Sequence, residues 1–392
     1  MKKKKSLIIT LLIPLLVLCT VVSCTQDPPT PDTAEPEIIE EAPETTEDPE
    51  VPETQETPEI TETPESPEED PMEAIPDYEP IFVSEEKGLV SVFPGVSTAV
   101  YRGNYGFDEF LDQGGASTEA EILQVLMSML NDPEGLRFSI DGLGCSTMQA
   151  PSKDGYYFGR NFDWDMCKVL FLTSYPENGY ASGSTVNTDF ITKLGESSLT
   201  DEQLILAAHY APLDGMNEKG LCISINLLPD GMTLKQETDK TNLTITSAIR
   251  LMLNKAATVE EAVELLKQYD LSTGMNMVIH YMISDAQGNS VCVEFIDNVL
   301  HVTDAKVMTN HYLTPGEYFE QSRSQSSFDR YNKLAAALEK TPVMSFVDVR
   351  DAMKSAISGT VWTVIYDQHS LTAYYHHNNR YGTPIVVKLM EE

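Results

Sequence analysis

The chain has 392 residues, 41% of them hydrophobic, and a formal net charge of −35 at pH 7. With the +4 of the first 24 residues and the −21 of residues 25–80 set aside, residues 81–392 still carry −18. That balance argues against a phosphate-backbone partner, so no nucleic acid is expected, while about 310 residues leave room for one large or two modest domains with a real core.

Met1 is followed by Lys2 to Lys5 and then an apolar run from Leu7 to Val22, broken only at Thr10, Pro14 and Thr20. This is the layout of an export signal. It closes on Val21-Val22-Ser23-Cys24, which resembles a bacterial lipobox. Residues 1–24 are therefore expected to be a lipoprotein signal, with Cys24 carrying the lipid and the protein facing outward on the cell membrane. Residues 25–80 hold 21 Asp or Glu, 13 Pro and no Lys or Arg. Such a segment has too little apolar surface to offset chain entropy and repels itself, so a disordered tether is expected.

Residues 81–144 read as a segment of their own before the main folded part, 145–392. A helix is expected over 118–130, with Thr118 and Glu121 as a capping box and Ile122, Val125, Leu126 and Met129 as its apolar stripe. From Cys145 the pattern turns strand-rich. Residues 146–151 and 156–163 flank Asp154-Gly155 as a hairpin, and a second hairpin turns at Asn217-Glu218-Lys219-Gly220. Helices are expected at 243–255 and 259–269, the second capped by Thr258 with Glu261. Three strands follow ("MVIHYMISD", "SVCVEFID", "KVMTNHYL"), then helices near 326–339 and 346–356 and three closing strands. Strands, helices and strands in blocks point to an α+β fold of sheets covered by helices. There is no P-loop, GxGxxG or HExxH pattern, and neither cofactor nor metal is expected.

Of six cysteines, Cys19 lies in the signal and Cys24 is the lipid candidate. Cys222 and Cys292 sit in apolar runs, as free core thiols do. Cys145 differs. Folding the hairpin about Asp154-Gly155 sets it opposite residues 162–164, which brings Arg160 and Asp163 near the thiol. A guanidinium favours a thiolate and a carboxylate can orient an amine beside it. A thiol nucleophile also needs a base. His280 and His311 are candidates, whereas His376-His377 has the pattern of an exposed pair. The alternative is the α-amine of Cys145 itself, freed by a cut after Gly144 and titrating near ~7.7–8.0.

The segment "GCSTMQAPSKDGYYFGRNFDWD" resembles the N-terminal motif of the choloylglycine hydrolase, or linear amide C–N hydrolase, family. The likeness extends through "DGMNEKGLCISINLLP", "MISDAQGNSVCVE", "VMTNHYLTP" and "SSFDRY". The resemblance implies a four-layer αββα sandwich of the N-terminal-nucleophile (Ntn) hydrolases, activated by autocatalytic cleavage at Gly144–Cys145. It also implies roles. Cys145 is the nucleophile and Arg160 with Asp163 position it. Asn226 and Asn310 form the oxyanion hole, and Arg330 supports the site. The expected substrate is a small N-acyl amide with an apolar acyl group. An acyltransferase of the same fold and a non-catalytic surface-binding lipoprotein are the competing readings. About 120 residues separate Cys24 from Cys145, and only 20 separate Asn310 from Arg330, an interval shorter than in bile-salt hydrolases.

Overall fold

The computed structural model describes residues 81–82, 88–118, 121–122, 124–125, 144–191, 199–228, 233–273, 278–322 and 324–389. The export signal, Cys24, the tether and most of the helix expected over 118–130 lie outside the described residues. Of that helix, residues 121–122 and 124–125 are helical and Ile122 is fully buried.

Two sheets carry the fold. The seven-stranded sheet runs in the order Ile81–Phe82, Ile385–Lys388, Thr372–His377, Thr360–Asp367, Tyr156–Asp163, Gly144–Pro151, Val307–Met308. The nine-stranded sheet runs Val299–Asp304, Ser290–Ile296, Ile279–Ser284, Cys222–Leu227, Asp214–Asn217, Ser182–Asn187, Val169–Tyr175, Val96–Arg102, Gly88–Phe93. Helices Gln325–Lys340 and Phe346–Ser355 cover the first sheet, and helices Asp201–Ala208, Ile245–Lys255 and Val259–Leu266 cover the second. The sheets meet face to face, with Thr147 Oγ1 2.9 Å from Ser224 Oγ across the gap. Within these two sheets, among the described residues, the pairing is antiparallel except at two joints, Ile81–Phe82 on Ile385–Lys388 and Val96–Arg102 on Val169–Tyr175.

The first hairpin sets the register of the site. Cys145 pairs with Phe162 and Thr147 with Arg160, while Gly144 pairs with Asp163 and Ser146 with Asn161. Residues paired across a ladder share a face. Met148 and Ala150 pack on Leu334, Val349 and Met353 of the covering helices. Thr147 points the other way, into the gap between the sheets. Asn161 Nδ2 donates to the carbonyls of Met353 (2.9 Å) and Ala356 (3.3 Å), closing the end of helix Phe346–Ser355 on the strand that carries Arg160 and Asp163.

Several expected elements are redrawn. The helix expected from 243 begins at Ile245 because Asn242–Thr244 pairs with Asp270–Ser272 as a small parallel sheet, which also shortens the next helix to Val259–Leu266. Both capping boxes return to an earlier residue than expected. Thr258 Oγ1 accepts from Glu261 N at 3.2 Å, but the Glu261 carboxylate accepts from Ala257 N at 2.6 Å. Glu121 likewise returns to Ser117 N at 2.7 Å. In the segment before Cys145, Gly88–Phe93 and Val96–Arg102 extend the nine-stranded sheet. Phe107 and Phe110 of the helix Phe107–Asp112 are buried there against Tyr210. His376 and His377 are buried, at 0% and 5% exposure, not an exposed pair. Their strand lies inside the seven-stranded sheet with both faces covered, so alternation sends one ring toward Phe346 and the other onto Tyr375.

Candidate active site

Cys145 is the second residue of the strand Gly144–Pro151 and is 5% exposed. Arg160 reaches it from the neighbouring strand, its Nη2 3.6 Å from Cys145 Sγ and 2.8 Å from the Ile225 carbonyl. The Arg160 Nη1 makes a buried ion pair with Asp214 at 2.5 Å. Asp214 is also held by Tyr366 Oη at 2.6 Å and Trp362 Nε1 at 3.3 Å. The guanidinium is therefore aimed, not free to swing. Burial pushes the Cys145 thiol above its ordinary range, and the Arg160 charge pulls it back.

The backbone of Cys145 is gripped as well. Its N–H donates to Asn310 Oδ1 at 2.8 Å, and Arg330 Nη1 donates to its carbonyl oxygen. Arg330 comes from helix Gln325–Lys340 and also donates to Ser146 Oγ at 2.7 Å and to Asn310 Oδ1 at 2.8 Å. Asp163 faces Arg330 across 3.7 Å through Oδ2 and accepts from Thr360 Oγ1 at 2.5 Å through Oδ1. Asp163 Oδ2 is fully buried and accepts no hydrogen bond. Burial raises the Asp163 carboxyl from its ordinary 3.8 to about 6, against the pull of Thr360, Arg330 and Arg160.

Gly144 sits inside this cluster. A Cβ there would lie 3.1 Å from Arg330 Nη2, 3.3 Å from Asp163 Oδ2 and 3.4 Å from Asn310 Oδ1. Next to the thiol is a small, mostly apolar hollow lined by Phe162, Trp164, Leu213, Ile225, Ile245 and Ile279. Phe162 is stacked between Trp164 and Trp362, with centroids at 5.6 and 4.0 Å, so its wall is rigid.

Five of the six residues expected in the site, Cys145, Arg160, Asp163, Asn310 and Arg330, thus meet directly. The side chain of Asn226 goes elsewhere. Its Nδ2 donates to the carbonyls of Thr309 (3.1 Å) and Met308 (3.3 Å), and its Oδ1 accepts from Thr147 at 3.4 Å. Its neighbours Ile225 and Leu227 line the hollow instead. Asn310 spends one amide hydrogen on the Leu227 carbonyl at 2.7 Å. The histidines considered as bases have other partners: His280 bonds Glu294 and Thr309, and His311 bonds Ser327 and stacks on Phe328. Asp214 and Thr360 did not stand out in the sequence. The only signal was a carboxylate, Asp214, heading an otherwise uncharged strand, Asp214–Asn217, that is buried throughout.

The family model described as linear amide C–N hydrolases, choloylglycine hydrolase family, matches residues 145–351, more than half of the chain. The chain belongs to this family. It is 30% identical over 180 residues to the bile salt hydrolase/transferase of Clostridium perfringens, covering 42% of this chain and 53% of that protein. It is 27% identical over 184 residues to the penicillin V acylase of Pectobacterium atrosepticum, covering 41% and 48%. The chain thus spans about half the length of the curated relatives it matches. Among solved structures it is similar to the conjugated bile acid hydrolase of Clostridium perfringens (TM-score 0.45, 19% identity, 60% of this chain and 89% of that one). It is also similar to the penicillin V acylase of Agrobacterium tumefaciens (TM-score 0.42, 16% identity, 62% and 84%).

Proposed function

We propose that this protein hydrolyses linear amide bonds of small N-acyl compounds, with Cys145 as nucleophile and the Cys145 α-amine, freed by cleavage after Gly144, as base. The observation that carries the reading is the convergence on one residue of Arg160 at the thiol, Asn310 at the backbone N–H and Arg330 at the carbonyl, with Asp163 and Asn310 both against Arg330. A structural cysteine needs no such grip on its N–H. In self-cleavage the thiol adds to the Gly144 carbonyl and the Gly144–Cys145 C–N bond breaks. The acyl group passes to sulfur, the nitrogen takes up the proton the thiol gives and becomes the free α-amine, and water then hydrolyses the thioester. The crowding around Gly144 supports this, because the residue to be released already lies among the groups that would act on it.

In turnover the thiol gives its proton to the α-amine and attacks the substrate carbonyl. The amide hydrogen of Asn310 not spent on Leu227 and a backbone N–H at Asn226 receive the oxyanion. The α-ammonium then protonates the departing amine, and water releases the acid. Asp163 Oδ2, which accepts no hydrogen bond, is the acceptor that suits this ammonium. The apolar hollow beside the thiol selects an apolar acyl group.

We further read Cys24 as the lipid-bearing residue that ties the protein to the membrane through residues 25–80. Support for retention after the cut comes from the two strands that 88–102 adds to the nine-stranded sheet. Transfer of the acyl group to an amine is the second reading, favoured by the transferase activity in the name of the Clostridium perfringens relative. The test is an N-terminal read of purified protein together with hydrolysis of penicillin V and of a glycine-conjugated bile salt, with and without an added amine. A chain beginning at Cys145 and free acid as product are expected. An active protein running as one uncut chain would overturn the reading.

A further inference from the structure

A second buried cluster lies behind the site, built by His280, Cys292 and Glu294 of adjacent strands. His280 and Glu294 face each other in register, are both 0% exposed, and their Nδ1 and Oε1 atoms are 3.0 Å apart. His280 Nε2 is 2.8 Å from the Thr309 carbonyl, so both ring nitrogens point at oxygens that only accept. The Glu294 carboxylate is filled from its other side by the backbone N–H groups of Leu313 (2.9 Å) and Thr314 (2.7 Å). Cys292 Sγ lies 3.5 Å from His280 Nδ1 and 3.6 Å from Met308 Sδ. Three metal-ligating groups are thus gathered within 4.8 Å. With the ring and carboxylate each already paired, the cluster is built for hydrogen bonding within the protein.

What the pair holds is the stretch that delivers Asn310. The strand Val307–Met308 ends after two residues, and beyond it the backbone leaves the sheet, pairing through the isolated His311–Ser322 bridge and through Tyr312, whose N–H donates to the Gln321 carbonyl at 3.2 Å and whose carbonyl accepts from Glu320 N at 3.0 Å. The pair grips that stretch at Thr309 on one side of Asn310 and at Leu313 and Thr314 on the other. Asn226 Nδ2 adds a second donor to the Thr309 carbonyl, and Ser327 Oγ accepts from Asn310 N at 2.8 Å. We propose that the buried His280–Glu294 pair is a positioning device that sets Asn310 against Cys145. This rests on the reading of Cys145 as nucleophile and Asn310 as an oxyanion donor.

A double-mutant cycle on the full chain tests it, with kcat for penicillin V as the readout and melting temperature recorded for each protein. Asn310→Ala is expected to lower kcat about 10²-fold and His280→Leu about 30-fold, KM changing less than about threefold. Because His280 acts through Asn310, the double variant should be no slower than Asn310→Ala alone. His280→Gln, whose amide can still donate to Thr309, should recover most of the rate, and Glu294→Ala, with the same loss expected as His280→Leu, stands in if the leucine variant does not fold. Losses that multiply to roughly 3,000-fold, or an unchanged kcat in a folded His280→Leu or Glu294→Ala protein alongside a slow Asn310→Ala, would overturn the proposal. Cys145→Ala separates the two layers: activity surviving there sinks the nucleophile itself, whereas activity lost there with multiplying losses sinks the positioning role alone.

Discussion

Asp163→Asn offers a quantitative test of how the site stores its charge. The carboxyl is fully buried and raised from 3.8 to about 6, chiefly by burial, with Thr360, Arg330 and Arg160 offsetting part of it. A group whose pKa is higher folded than unfolded stabilises the fold below its unfolded value and loses that contribution as pH rises through the folded value. Ionised Asp163 therefore destabilises the protein above about pH 6, by roughly 3 kcal/mol from the difference between the two values. Asparagine keeps the acceptor for Thr360 Oγ1 and cannot ionise. In the uncut Cys145→Ala background, Asp163→Asn should raise stability at pH 7.5 by roughly 2–3 kcal/mol, and the gain should shrink toward zero by about pH 4. Urea unfolding followed by circular dichroism at pH 4, 6 and 7.5 measures it. With Cys145 present, the same change should slow chain cleavage and amide hydrolysis, because the acceptor for the α-ammonium is gone. An asparagine variant less stable at pH 7.5, or a gain that does not vary with pH, would refute the reasoning.

Gly144→Val should abolish cleavage after residue 144, because even its Cβ meets Arg330, Asp163 and Asn310 at 3.1–3.4 Å; an intact-mass time course checks this, and normal cutting would contradict the crowding. Glu294 is pushed up by burial, yet His280 and the N–H groups of Leu313 and Thr314 hold it at about 2 against an ordinary 4.5. Its stabilising contribution is full above about pH 4.5 and is lost as pH falls toward 2, so Glu294→Gln should lose roughly 3 kcal/mol at pH 7 and much less near pH 2, read from unfolding midpoints across that range. Phe110, fully buried against Phe107 and Tyr210, anchors the segment before Cys145. Phe110→Ala should destabilise by about 3–5 kcal/mol and let the N-terminal piece separate after the cut, whereas in the parent only a denaturing wash should free the chain beginning at Cys145. Release of the parent's pieces by salt alone would mean the interface is polar.

The first hairpin was legible residue by residue. A single turn at Asp154-Gly155 fixes which residue lies opposite which, and so Cys145, Arg160 and Asp163 could be brought together on paper. The helix start at Thr258 was equally plain, since a side-chain cap acts over three residues. What no local pattern holds is a partner far along the chain. The parallel joint of Val96–Arg102 with Val169–Tyr175 spans about seventy residues and is fixed by apolar burial, which makes the pre-cysteine strands part of the sheet. The same holds at the site. Asp214 as the partner of Arg160, the early end of the strand at Met308 and the turning of the Asn226 side chain onto Thr309 are set by hydrogen bonds between residues 54 to 83 positions apart. The sequence determined which chemical groups exist and which neighbours share a strand face. Only the stacking of two sheets, which excludes water and leaves each buried donor in need of an acceptor, decided how those groups are aimed.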